Sequence, residues 1–130
     1  MKYLGKYEVL DDVGYQWKME EIKTERDCYK LAKICAEIGE LDRIECQGYS
    51  DMDTHENYCS FKTAEEFVKG IEQVKKIDTD TISVFSMVDG KHIRFLISPV
   101  WDNEKGTEFC ISGPEETVKK VSAVLQKKFG

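Results

Sequence analysis

Apolar and polar residues alternate most regularly over residues 82–97, and this pattern predicts a β-hairpin. At its centre, Asp89 and Gly90 suit a two-residue type I′ turn, because both turn positions need a positive φ. The resulting register assigns every cross-strand pair and therefore both faces of the hairpin. One face is apolar and must be buried: Ile82, Val84, Val88, Ile93, Phe95 and Ile97.

The opposite face of this hairpin is amphipathic. Its predicted pairs are Met87 with His92, Phe85 with Arg94 and Ser83 with Leu96. If this face is exposed, it combines the aromatic, arginine and methionine side chains that are enriched in protein interfaces. The alternatives are a face closed by a loop such as Val100-Trp101, or helices on both sides of the sheet, in which case the same residues are ordinary partial core.

Three further segments carry the apolar spacing of amphipathic helices. The first is expected to begin after an N-cap at Thr24 and to stop at Gly39. The second begins with a capping box at Thr63 and ends near Lys76. The third follows Pro114, whose missing N–H costs nothing in the first turn.

Strands are predicted at residues 3–10, 15–20, 43–49, 58–61, 82–88, 91–97 and 107–112, with a turn at residues 11–14. The element order is therefore ββαβ(β)αβββα, in which hairpins dominate. We expect one α+β domain over residues 1–130, a two-layer sandwich of three helices on a mainly antiparallel sheet.

The amount and distribution of charge indicate which classes of partner this protein can bind. The net charge is −6, and seven acidic residues against three basic ones lie between Glu8 and Asp27. Between Glu40 and Asn57 there are six acidic residues and one arginine. Such a surface repels nucleic acid, which is bound through clustered Lys and Arg, and it favours a basic partner. Without an apolar leader or an apolar run of about 18 residues, we expect a cytoplasmic protein that does not bind a membrane.

The five cysteines are an odd number without a Cys-x-x-Cys pair, and we expect reduced thiols. Asp51, Asp53, His55 and Cys59 form the best candidate for a metal site. The calcium-loop template fails there, because Glu56 stands where a glycine is required. We therefore expect no metal and no cofactor, and we predict no catalytic residue because no catalytic signature is present.

These features favour a small acidic protein that occupies a basic protein partner, such as an immunity protein that neutralises a toxin domain. The predicted partner-binding residues are Asp11, Asp12, Asp51, Asp53, Glu56, Phe85, Met87, His92 and Arg94. A secretion-chaperone-like protein has the same profile. A metal-binding or small-molecule-binding domain, even an enzyme, using His55, Cys59 and the acidic loop is the alternative from another class.

Overall fold

The computed structural model describes residues 1–48, 57–77, 79–98 and 106–129. In chain order its elements are β1 (Lys2–Val9), β2 (Asp12–Met19), α1 (Glu25–Ala36), β3 (Glu40–Gly48), β4 (Tyr58–Phe61), α2 (Ala64–Lys69), α3 (Ile71–Lys76), β5 (Thr79–Val88), β6 (Lys91–Ser98), β7 (Thr107–Gly113) and α4 (Glu115–Phe129). The predicted α+β class with an antiparallel sheet is confirmed.

All the strands belong to one seven-stranded sheet with the order β1-β2-β7-β6-β5-β3-β4, and every neighbouring pair is antiparallel. The central strand is thus β6, half of the predicted hairpin. That hairpin forms in the predicted register, with Val84 opposite Phe95 and Phe85 opposite Arg94. Asp89 and Gly90 take φ values of 52° and 75°, as a type I′ turn requires.

One face of the sheet carries the core. Its fully buried side chains include Ile44, Phe95, Ile97 and Ile111, which alternate along their strands with half-buried or exposed neighbours. The buried residues of the helices complete the same cluster, including Leu31 of α1, Phe67 of α2, Val74 of α3 and Leu125 of α4. The helices of the described chain therefore pack on a single face.

The prediction of three helices is wrong, because the segment after Thr63 forms two short helices that meet at Gly70. Gly70 leaves helical geometry with φ −93° and ψ 11°. A Cβ at this position would lie 2.3 Å from the Phe61 ring, so a larger residue would require that ring to move. Packing against the sheet thus interrupts a segment whose apolar spacing is continuous.

The predicted turn at residues 11–14 is also wrong, because β2 already begins at Asp12. The connection between β1 and β2 is the shorter segment Leu10-Asp11, with Val9 opposite Asp12. Leu10 takes the left-handed φ of 55°, a conformation in which glycine is ordinarily found. Asp12 is therefore a strand residue at the end of this hairpin.

Candidate functional site

The second face of the sheet, which we call the open face, has no helix packed on it within the described residues. Its centre is a row of residues that are paired across six neighbouring strands. From the β1 edge inwards, the row is Tyr7, Gly14, Ser112, Arg94, Phe85 and Arg43. Apart from Gly14, these residues are half-buried or exposed, as on a surface that solvent reaches.

Two arginines flank the Phe85 ring. The guanidinium carbon of Arg43 lies 4.0 Å from the ring centroid and that of Arg94 lies 5.4 Å from it. Both distances are within the range of cation–π attraction, worth about 0.5–1 kcal/mol at exposed positions. These contacts bring two long cationic side chains to one aromatic ring at the centre of the open face.

The two arginines differ in how many of their donors are used. Arg43 donates from Nε to Glu45 at 2.8 Å and also pairs with Asp42, and its hydrogen bond lowers the pKa of Glu45. Arg94 donates to Ser83 Oγ at 3.1 Å and has no ion pair within the described residues. Because a guanidinium has five N–H donors, most of those on Arg94 are available to a ligand.

Toward β1, Tyr7 lies over Gly14 and contacts Cys110. A Cβ at Gly14 would come within 2.1 Å of the tyrosine ring, so the glycine lets the ring lie flat on the sheet. The Tyr7 hydroxyl is 3.3 Å from Cys110 Sγ. This hydrogen bond and partial burial raise the pKa of Tyr7 to about 12, and burial raises the pKa of the Cys110 thiol.

Five of the predicted partner-binding residues line one groove on this surface. Its volume is about 330 Å³, and its walls include Asp12, Phe85, Met87, His92 and Arg94. The adjoining depression, of about 430 Å³, shares Asp12 and Ser112 with it and is lined by Asp11 and Leu10. The two depressions form one trough, which runs from the turn between β1 and β2 at Leu10 and Asp11 (the hairpin tip) to Arg43 and Arg94. The predicted residues Asp51, Asp53 and Glu56 lie outside the described residues.

The hairpin tip at the other end of this trough is apolar and strained. Leu10 is 99% exposed and Val9 is 59% exposed, and they are followed by the exposed carboxylates of Asp11 and Asp12. A leucine with φ near 55° costs on the order of 1–2 kcal/mol relative to a right-handed conformation. Residues with strained backbones are concentrated at functional sites.

Sequence reasoning missed Tyr7, Arg43 and Cys110 as members of this site. All three lie in segments whose alternating apolar and polar residues predict strands, namely residues 3–10, 43–49 and 107–112. What brings them beside Arg94 is the order of the strands, since β7 lies between β2 and β6 and β3 pairs with β5. Local alternation fixes the face a residue occupies on its own strand but not its neighbours across the sheet.

The structure places Cys59 away from solvent, on the face that the helices cover. It is 5% exposed and lies directly opposite Cys46, which is fully buried. Burial raises the pKa of both thiols, which disfavours the thiolate that binds metals. His55 lies outside the described residues. Within the described ranges, no group of three or more His, Cys, Asp or Glu side chains is placed to hold a metal ion.

The five cysteines should be free thiols that differ sharply in reactivity. Cys28, Cys35, Cys46 and Cys59 are at most 5% exposed, whereas Cys110 is half-buried on the open face. We expect five thiols to react in denaturant without reductant, and Cys110 to react first in the folded protein. Timed reaction with a chromogenic disulfide reagent measures both, and Cys110→Ser should abolish the fast phase. A denatured count of three or fewer in fresh protein would contradict this prediction.

Comparison with known proteins does not indicate a family or a function for this chain. A scan against protein-family models, a search of curated proteins and a search of solved structures each found no match to this chain. Among the described residues, no helix has the length and apolar character needed to cross a membrane. The function is therefore argued from the open face itself.

Proposed function

We propose that this chain is a binding domain that occupies a basic protein partner through the open face, in the manner of an immunity protein that neutralises a toxin domain. The observation that carries the proposal is a sheet face that no helix of the described chain covers, with Phe85 between Arg43 and Arg94. Tyr7 and Met87 extend the same surface. Aromatic residues, Met and Arg are the types enriched at the centres of protein interfaces.

The hairpin tip is a second, independent observation that supports the same proposal. Leu10 and Val9 expose apolar surface at a turn whose Leu10 backbone is strained, and strained residues cluster at functional sites. The adjacent carboxylates of Asp11 and Asp12 have no ion pair within the described residues, so they remain available to a lysine or arginine of the partner. The open face then supplies anchors, and the tip supplies apolar contact and negative charge.

Electrostatics should set how fast the two proteins meet. The net charge of −6 attracts a basic partner over a Debye length of about 8–10 Å at physiological salt. The open face itself mixes both signs, because Arg43, Arg94 and Lys18 lie near Glu45 and Glu108. Steering therefore depends on acids at the periphery, and binding strength depends on the packed centre.

The test begins with finding the partner among basic proteins encoded beside this chain or captured from the native host at low salt. With both proteins purified, Asp11→Lys with Asp12→Lys should slow association several-fold at low salt and flatten its salt dependence. Glu65→Lys with Glu116→Lys makes the same change in net charge on the helix side, where these exposed side chains lie, and is the matched control.

Comparison with the control variant shows whether association is steered by the two aspartates at the hairpin tip or by the net charge of the whole protein. If both double variants slow association equally, net charge alone acts and the hairpin tip has no special role. If no basic protein binds the purified chain at all, the proposed function is wrong.

A further inference from the structure

The helix layer contains a groove of its own, on the side of the molecule opposite the open face. It lies between α1 and the pair α2–α3 and has a volume of about 520 Å³. Its floor is apolar: Val68 and Ile71 supply the accessible surface, and the buried Tyr29 and Phe67 meet edge to face with ring centroids 6.2 Å apart. Val68 is 49% exposed, so solvent reaches this floor.

The rim of this groove is basic in an otherwise acidic chain. Arg26, Lys30 and Lys33 lie at positions i, i+4 and i+7 of α1, which places them along one side of the helix. Lys75 of α3 completes the rim, and Glu25 is the single acidic residue among the groove-lining residues of the described chain.

Existing ion pairs leave half of this rim unneutralised. Lys33 approaches Glu37 at 3.9 Å and Lys75 approaches Glu72 at 3.8 Å, and exposed pairs of this kind contribute little. Arg26 and Lys30 have no ion pair within the described residues. An anionic group over the groove would therefore meet Arg26 and Lys30 without displacing an existing ion pair, with the Asp27 carboxylate as an acidic group that acts on Lys30.

We propose that this groove binds a small anionic amphiphile, a monomeric fatty carboxylate, with its chain on the apolar floor and its head group at Arg26 and Lys30. The volume falls in the range of about 300–1,000 Å³ that is typical of small-molecule sites. A protein partner is disfavoured because the accessible apolar floor is limited to a strip at Val68 and Ile71, enough for one alkyl chain. This strip is far smaller than the roughly 800 Å² per side of a stable protein interface.

This site goes beyond the proposed function and does not depend on it, because the groove and the open face lie on opposite sides of the sheet. The proposal of an amphiphile site can therefore be wrong while the proposed protein-binding function is right, and the reverse also holds. The carboxylate recognised here is that of a free amphiphile in solution, and a membrane surface is a different outcome of the test.

The experiment titrates the full chain with dodecanoate below its micelle concentration and follows heat by calorimetry. We expect saturable binding of one dodecanoate, with a Kd below about 1 mM. Dodecyltrimethylammonium, which has the same chain and the opposite charge, should bind at least about tenfold more weakly. This comparison uses only the wild-type protein, so it does not depend on whether any variant folds.

Variants then locate the site. Arg26→Glu with Lys30→Glu should weaken dodecanoate binding at least about tenfold, whereas Lys127→Glu with Lys128→Glu near the end of α4 should leave it unchanged. Equal binding of the two amphiphiles, an unchanged Kd in the α1 variant, or binding to anionic vesicles without binding to monomeric dodecanoate would each overturn the proposal.

Discussion

Replacing Phe95 with alanine is expected to lower the free energy of unfolding by about 3–5 kcal/mol, the usual cost of emptying a fully buried phenylalanine site. Phe95 is 0% exposed at the middle of the central strand β6. Its neighbours across the sheet are Val84 and Ile111, and its ring stacks on Phe109 with centroids 6.2 Å apart.

The matched control for this truncation is Phe85→Ala. Phe85 lies on the neighbouring strand β5 of the same hairpin, but on the open face, where it is half-buried. Its removal should cost about 1 kcal/mol, because the site can refill with solvent. Urea unfolding measures both variants by the shift in midpoint at constant m. Equal losses would contradict the assignment of one covered face and one open face.

Truncation of the anchors on the open face should have the largest effect on binding. We expect Phe85→Ala and Arg94→Ala each to raise the Kd for the basic partner about 30-fold, because central aromatic and arginine anchors cost about 2 kcal/mol or more when removed. The change should appear in the dissociation rate, since packed contacts rather than long-range charge are lost.

Lys120→Ala is the control for these binding variants. Lys120 lies on α4, where it pairs with Asp89 on the helix side of the molecule. Its truncation should leave the Kd unchanged. A wild-type Kd for both open-face variants, measured by surface plasmon resonance, would show that the partner docks elsewhere.

The central hairpin could be predicted residue by residue because its information is local. An Asp-Gly turn allows one register, and period-two alternation then assigns both faces. The first helix was predictable for the same reason, since Thr24 caps it through the backbone N–H of Asp27. Its observed end is Ala36 rather than Gly39, whose lack of a side chain instead lets the chain pass the Met87 carbonyl.

What the sequence left open depended on contacts between distant segments. The helix break at Gly70 lies against the Phe61 ring of β4, which is distant in sequence. The tight turn at Leu10 lacks the glycine or asparagine that usually indicates such a turn in a sequence. Val124 fits the apolar spacing of the last helix yet is 40% exposed, because α4 contacts the sheet along a narrower stripe than the spacing indicates. The composition of the open face required the strand order, which alternation does not encode.

The most direct test of the open face as the binding surface uses the thiol that the protein already carries there. Cys110 lies on the open face, where it pairs with Gln16 and Leu96 and contacts Tyr7 of the central row. In a complex with the basic partner, its reaction with a thiol reagent should slow at least about tenfold, since the partner excludes solvent from the interface core. Reaction of Cys110 in the saturated complex at the rate of the free protein would contradict a partner on this face.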